Sequence, residues 1–109
     1  AEKLSSMKDL DWNDFLERVC SLLDSPEKNT GAARSKLNLL YYLCTVATHK
    51  EIASRLITSR LFSILIQQLR AVTNWDIRAK VARVIGLLAL HACELGENVL
   101  VSEVTFFLL

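Results

Sequence analysis

The chain has 109 residues, enough for one domain with a modest core, and 51% of them are hydrophobic, with 7% aromatic, one proline and three glycines. That composition excludes a disordered segment and a turn-rich β-sandwich, and it points to long helices with few breaks. The formal charge of +1 hides an uneven distribution, because residues 1–29 carry −3, residues 30–83 carry +7 and residues 84–109 carry −3. The basic middle is either a binding surface or a set of solvated helix faces.

In chain order, residues 1–10 read as a weakly structured lead. Asp11 opens the first clear helix, with Asp14 three residues on as a weaker form of the capping-box Glu. Trp12, Phe15, Leu16, Val19, Cys20 and Leu23 then recur at helical spacing as one apolar stripe. Asp24-Ser25-Pro26-Glu27 stops the helix and makes a turn.

The second helix begins after Asn29-Thr30-Gly31 and runs to about Thr48. Its stripe is Ala33, Leu37, Leu40, Tyr41 and Cys44, but Leu39, Leu43 and Val46 lie elsewhere on the wheel, so burial on more than one side is expected. Thr48 and Glu51 match a capping box and start a short helix through Ile52 and Leu56. Ser59 caps the next, which packs through Phe62, Leu65, Ile66 and Leu69. Asn74 or Asp76 opens the longest helix, which ends near Gly96, and Val99 to Leu109 starts a further helix or strand.

On the longest helix Ile77, Val81, Val84, Leu88, Ala92 and Leu95 form a core stripe. Ala79, Ala82, Gly86, Ala89 and Cys93 form a second face of small residues, suited to close approach by a neighbouring helix. Lys80, Arg83, Leu87, His91 and Glu94 remain as the wet strip.

Two stretches repeat. Arg34-Ser-Lys36-Leu37 lines up with Arg78-Ala-Lys80-Val81, and Leu40, Leu43 and Cys44 with Val84, Leu87 and Leu88, at an offset of 44 residues. The preceding helices match at an offset of 46, with Phe15, Leu16, Val19, Cys20 and Leu23 against Leu61, Phe62, Leu65, Ile66 and Leu69. A helical pair recurring at this distance has the period of HEAT and armadillo arrays. The expected fold is therefore all-α: a right-handed α-solenoid of about two helical pairs and a partial third, in one domain over residues 1–109. Its parts are a first pair at 11–48, a second repeat at 49–96 and the truncated start of a next element at 97–109.

The run Asp76-Ile-Arg78-Ala-Lys-Val81-Ala82-Arg-Val-Ile-Gly86-Leu87-Leu88-Ala89 resembles the second helix of a HEAT repeat. The resemblance implies inter-repeat hydrogen bonding by Asp76 and Arg78; the first copy keeps Arg34 but has Gly31 or Ala32 where the Asp would stand. More specifically, Asn74 through Glu97 resembles the C-terminal armadillo/HEAT region of the Fused-related, Unc-51-like serine/threonine kinases, in particular a pseudokinase member. It implies that this chain is a regulatory C-terminal piece of a larger kinase or pseudokinase.

No kinase element stands in the chain itself: no Gly-rich loop, strand Lys motif, catalytic loop or metal-binding Asp signature. Neither His49 nor His91 stands in a nucleophile or metal-ligand context, so no catalytic residue, metal or cofactor is assigned. Cys20, Cys44 and Cys93 are odd in number and set among apolar residues, which reads as reduced thiols and a cytoplasmic protein. Arginines and lysines interrupt every apolar run, which excludes a membrane helix.

The expected function is a non-catalytic protein–protein interaction scaffold. Its candidate partner strip is Lys36, Leu39, Leu43, Lys80, Arg83, Leu87 and His91, suited to an acidic protein segment. Two alternatives stand beside it. One is nucleic-acid binding through the basic middle, disfavoured because Trp75, Tyr41 and Tyr42 read as core packing and are not interleaved with the cations. The other is a purely structural slice of a longer solenoid. The uncharged run Val104 to Leu109 is also a candidate for self-association.

Overall fold

The computed structural model describes residues 9–94, with side chains described from Asp11 to Ala92. All regular structure within them is α-helical: α1 Asp9–Asp24, α2 Thr30–Val46, α3 Lys50–Ile57, α4 Leu61–Ala71 and α5 Trp75–Glu94. Leu95, Gly96 and Val99 to Leu109 lie outside the described residues, as do the side chains of Cys93 and Glu94. No described helix is long and apolar enough to cross a membrane.

Local chemistry sets the boundaries. Asn29 holds an extended backbone and its side chain accepts from the Ala32 amide at 2.9 Å, which caps α2. Asn74 does the same for α5, accepting from Asp76 at 3.0 Å and Ile77 at 3.3 Å. The capping box expected at Thr48 does not form. The Thr48 hydroxyl donates back to the Thr45 carbonyl at 2.7 Å, closing α2, and α3 starts after His49 with no side-chain cap. Ser59 has a mixed role, accepting from the Leu61 amide at 3.3 Å while donating to the Leu56 carbonyl at 2.7 Å.

The apolar stripes of α1 and α4 face one another across the core. Leu16, Val19, Cys20 and Leu23 are buried from α1, and Leu61, Phe62, Leu65, Ile66 and Leu69 from α4. Phe15 is half-buried and tilts against Trp12 at 5.5 Å between ring centres. The broadest helix–helix interface joins α2 to α5, and α1 packs on α4. The first helix of the earlier pair thus meets the first of the later pair, and the second meets the second. The short α3 fits between, packed mainly on α5.

On α5 the core stripe Ile77, Val81, Val84, Leu88 and Ala92 is fully buried, together with Ile85. The small-residue face departs from expectation. Ala79 and Gly86 are exposed, Ala82 and Ala89 half-buried, and a Cβ built on Gly86 would meet nothing within 4 Å. No described helix lies on that face, so α5 is covered by α2, α3 and α4 on its remaining sides. The aromatic residues divide as well: Trp12 is core, whereas Tyr41, Tyr42 and Trp75 are exposed and do not pack inside as expected.

Candidate functional site

The basic residues of the expected strip separate into two environments. Lys36 is buried at 1% exposure. Its ammonium donates to the Ser25 carbonyl at 2.7 Å, the Glu27 carboxylate at 3.2 Å and the Gln68 side-chain oxygen at 3.5 Å. It ties the turn after α1 to α2 and α4, so it cannot meet a partner, and its place in the strip is corrected to a structural one. Leu43 is corrected likewise, being fully buried. Leu39, Leu87 and His91 are half-buried.

Lys80 and Arg83 stand differently. They project from α5 into a groove of about 430 Å³ shared with α2 and the turn after it, lined by Tyr41, Cys44, Thr45, Thr48, Lys80 and Arg83. The Lys80 ammonium lies 4.3 Å from the centre of the Tyr41 ring, a cation–π contact that holds it over α2. Arg83 lines the same groove as the Cys44 thiol. Burial pushes the Cys44 thiol above its ordinary range, while the charges of Lys80 and Arg83 pull part of the way back. Neither cation forms an ion pair with a carboxylate among the described residues.

The divergence of Lys36 and Lys80, which occupy equivalent places in the repeat, has a local cause. Lys36 is neutralised by the turn that carries Glu27. At the later repeat's offset of 46, Ala71 and Thr73 stand where Ser25 and Glu27 would be, so no carboxylate is supplied. Sequence reasoning missed Tyr41, Cys44, Thr45 and Thr48 as groove residues. The spacing of Tyr41, Cys44, Thr45 and Thr48, along one side of α2 and into the turn after it, could have suggested them.

Arg34, Asp76 and Arg78 form no ion pair with one another. Arg34 and Asp76 line a second α2–α5 groove with Thr30, Ala33, Leu37 and Asn38, while the Arg78 guanidinium lies 5.6 Å from the Trp75 ring centre. Among the described residues no three His, Cys, Asp or Glu side chains are grouped so as to hold a metal ion.

Over 102 residues, 94% of its length, the chain is 68% identical to the protein named "Serine/threonine-protein kinase ULK4" of Mus musculus. The chain is homologous to a segment of ULK4. That agrees with the kinase-family resemblance carried by Asn74 to Glu97. The match spans about 8% of the length of ULK4. No family model matches the chain, and no solved structure does.

Proposed function

We propose that this chain is a non-catalytic protein-interaction scaffold, a regulatory piece of a larger kinase-related polypeptide, that receives an acidic protein segment in the α2–α5 groove. The observation that carries the reading is the pair Lys80 and Arg83, two cations one turn apart that share a groove without a carboxylate. A carboxylate or phosphate side chain placed there would meet both cations and the Thr45 and Thr48 hydroxyls. The packing of α1 on α4 and α2 on α5 supports stacked helical pairs of HEAT or armadillo type, in which such inter-helix grooves serve as binding surfaces. Reduced Cys20 and Cys44 suit a cytoplasmic setting.

The test is titration of the 109-residue chain with a labelled Glu-rich peptide, read by polarisation and by NMR shifts at α2. Binding with shifts centred on Tyr41, Thr45 and Thr48, weakened about fivefold or more by Lys80→Glu with Arg83→Glu and less so at high salt, supports the groove. Equal binding by the double variant rejects it, as does stronger capture of single-stranded DNA than of the peptide. Unfolding free energy should change by less than about 1 kcal/mol, because both charges are at least partly solvated.

A further inference from the structure

A carboxylate carries a single charge on two oxygens in one plane, whereas a phosphate monoester at neutral pH carries roughly −1.5 to −2 on three oxygens that point apart. The groove between α2 and α5 matches the second. Its α5 wall offers Lys80 and Arg83, three residues apart and so neighbours on the helix surface. Its opposite wall offers the Thr45 and Thr48 hydroxyls, at the end of α2 and in the turn after it. Neither Asp nor Glu is among the residues that line it. One carboxylate there would leave a cation without a counter-charge, and one dianion would match both.

Two features prepare the groove. The Lys80 ammonium is already held over the Tyr41 ring at 4.3 Å, so less side-chain freedom is lost when a ligand arrives. The Thr45 and Thr48 hydroxyls are exposed and donate to the Tyr41 and Thr45 carbonyls at 3.2 and 2.7 Å. Both carbonyls have backbone donors too, the first within α2 and the second from the Ala47 and Thr48 amides. Either hydroxyl can turn to a ligand oxygen without stranding a carbonyl.

We propose that the acidic segment taken by this groove is phosphorylated, with one phosphorylated side chain seated among Lys80, Arg83, Thr45 and Thr48. The inference rests on the reading of the groove as a site for an acidic protein segment, and it narrows the chemistry of that segment. Lipid surfaces and nucleic acids fit less well, because they present rows of phosphates and are met by rows of cations, about four to eight for a lipid surface. Two cations line this groove, while Arg34 lies in the neighbouring groove and Arg78 beside the Trp75 ring.

The test titrates the full 109-residue chain with labelled peptides of one sequence that bear phosphoserine, Glu-Glu or serine at the centre. Phosphoserine and Glu-Glu carry nearly equal charge, so a difference between them reports the geometry of the anion and its concentration at one point. The expected result is at least about tenfold tighter binding of the phosphoserine peptide than of the Glu-Glu peptide, with NMR shifts at Thr45 and Thr48. Lys80→Gln and Arg83→Gln, made separately so that either carries the test if the other unfolds, should each remove most of that preference. Thr45→Val should reduce it and leave Glu-Glu binding unchanged. Affinities closer than tenfold overturn the proposal and leave the acidic-segment reading standing, whereas failure of both charged peptides to bind overturns the two together. A preference that survives both glutamine variants puts the phosphate elsewhere and also overturns it. So does tighter binding to phosphatidylcholine vesicles carrying phosphatidylinositol 4-phosphate, or to single-stranded RNA, than to the phosphoserine peptide.

Discussion

The ammonium of Lys36 lies 3.2 Å from the Glu27 carboxylate, with the lysine side chain 2% exposed and the glutamate 24%. The pair is lopsided, because Glu27 can turn to water and Lys36 cannot. Removing each partner should therefore cost different amounts. Lys36→Ala strips the Ser25 carbonyl and Gln68 of their shared donor as well, and should destabilise the fold by about 2–3 kcal/mol, read by urea unfolding. Glu27→Gln should cost about 1 kcal/mol or less, since it keeps an acceptor in place. Equal losses would show that the charge pair, and not the lysine's burial among carbonyl acceptors, dominates.

The helix caps make a sharper contrast. Asn29→Ala and Asn74→Ala should each cost about 1 kcal/mol, because each side chain satisfies amides of a first helical turn. Thr48→Ala should cost α3 nothing and the whole fold about 0.5 kcal/mol at most, because its exposed hydroxyl only closes the end of α2. Thermal melts of the three variants, run together, check the order.

Tyr41 holds Lys80 through its ring face alone. Tyr41→Phe should leave stability unchanged within error. Tyr41→Ala should lose about 0.5–1 kcal/mol, and Lys80→Gln should add little further loss on that background. An additive double variant would show that the ring and the ammonium do not interact in solution.

Burial raises the thiols of Cys20 and Cys44, with Arg60 opposing it at Cys20 and Lys80 and Arg83 opposing it at Cys44. Both should react with a thiol reagent more slowly than an unfolded peptide does at neutral pH, Cys20 the slower because it is the more deeply buried. A folded-state pKa above the unfolded one contributes stability that is fully present below the unfolded thiol pKa. That contribution is lost as pH rises through the folded value, so the loss falls on the alkaline side. Replacing both cysteines by alanine should flatten the alkaline slope of the melting temperature and leave acid behaviour unchanged.

The stripes of α1 and α4 were legible because one periodic face meets one core, and spacing alone fixes which residues enter it. The start of α2 was less so: it lies at Thr30, earlier than expected, because Asn29 caps it. Asn74 was legible as one of two candidate openers of α5, since cap chemistry is local. Thr48 was not, because a hydroxyl between two helices can donate backwards as readily as it accepts forwards, and the motif does not encode the choice. Lys36 and Lys80 occupy one position of a repeat, and what separates them is Glu27, a residue of the preceding turn. The small face of α5 misled in another way: glycine and alanine record room for a neighbour, and whether the described residues supply one is a matter of tertiary arrangement.

The two tryptophans give the chain a built-in optical comparison. Trp12 is 6% exposed, with the Arg55 guanidinium 4.2 Å from its ring centre, and Trp75 stands 77% exposed at the first residue of α5. Their emission should separate into a blue, quencher-resistant component and a red one open to iodide. Denaturant would shift the first only when α1 leaves the core. A ligand or segment settling near the start of α5 would shift the second while the first stays still. Each single-tryptophan variant then reports on one end of the molecule with no label attached.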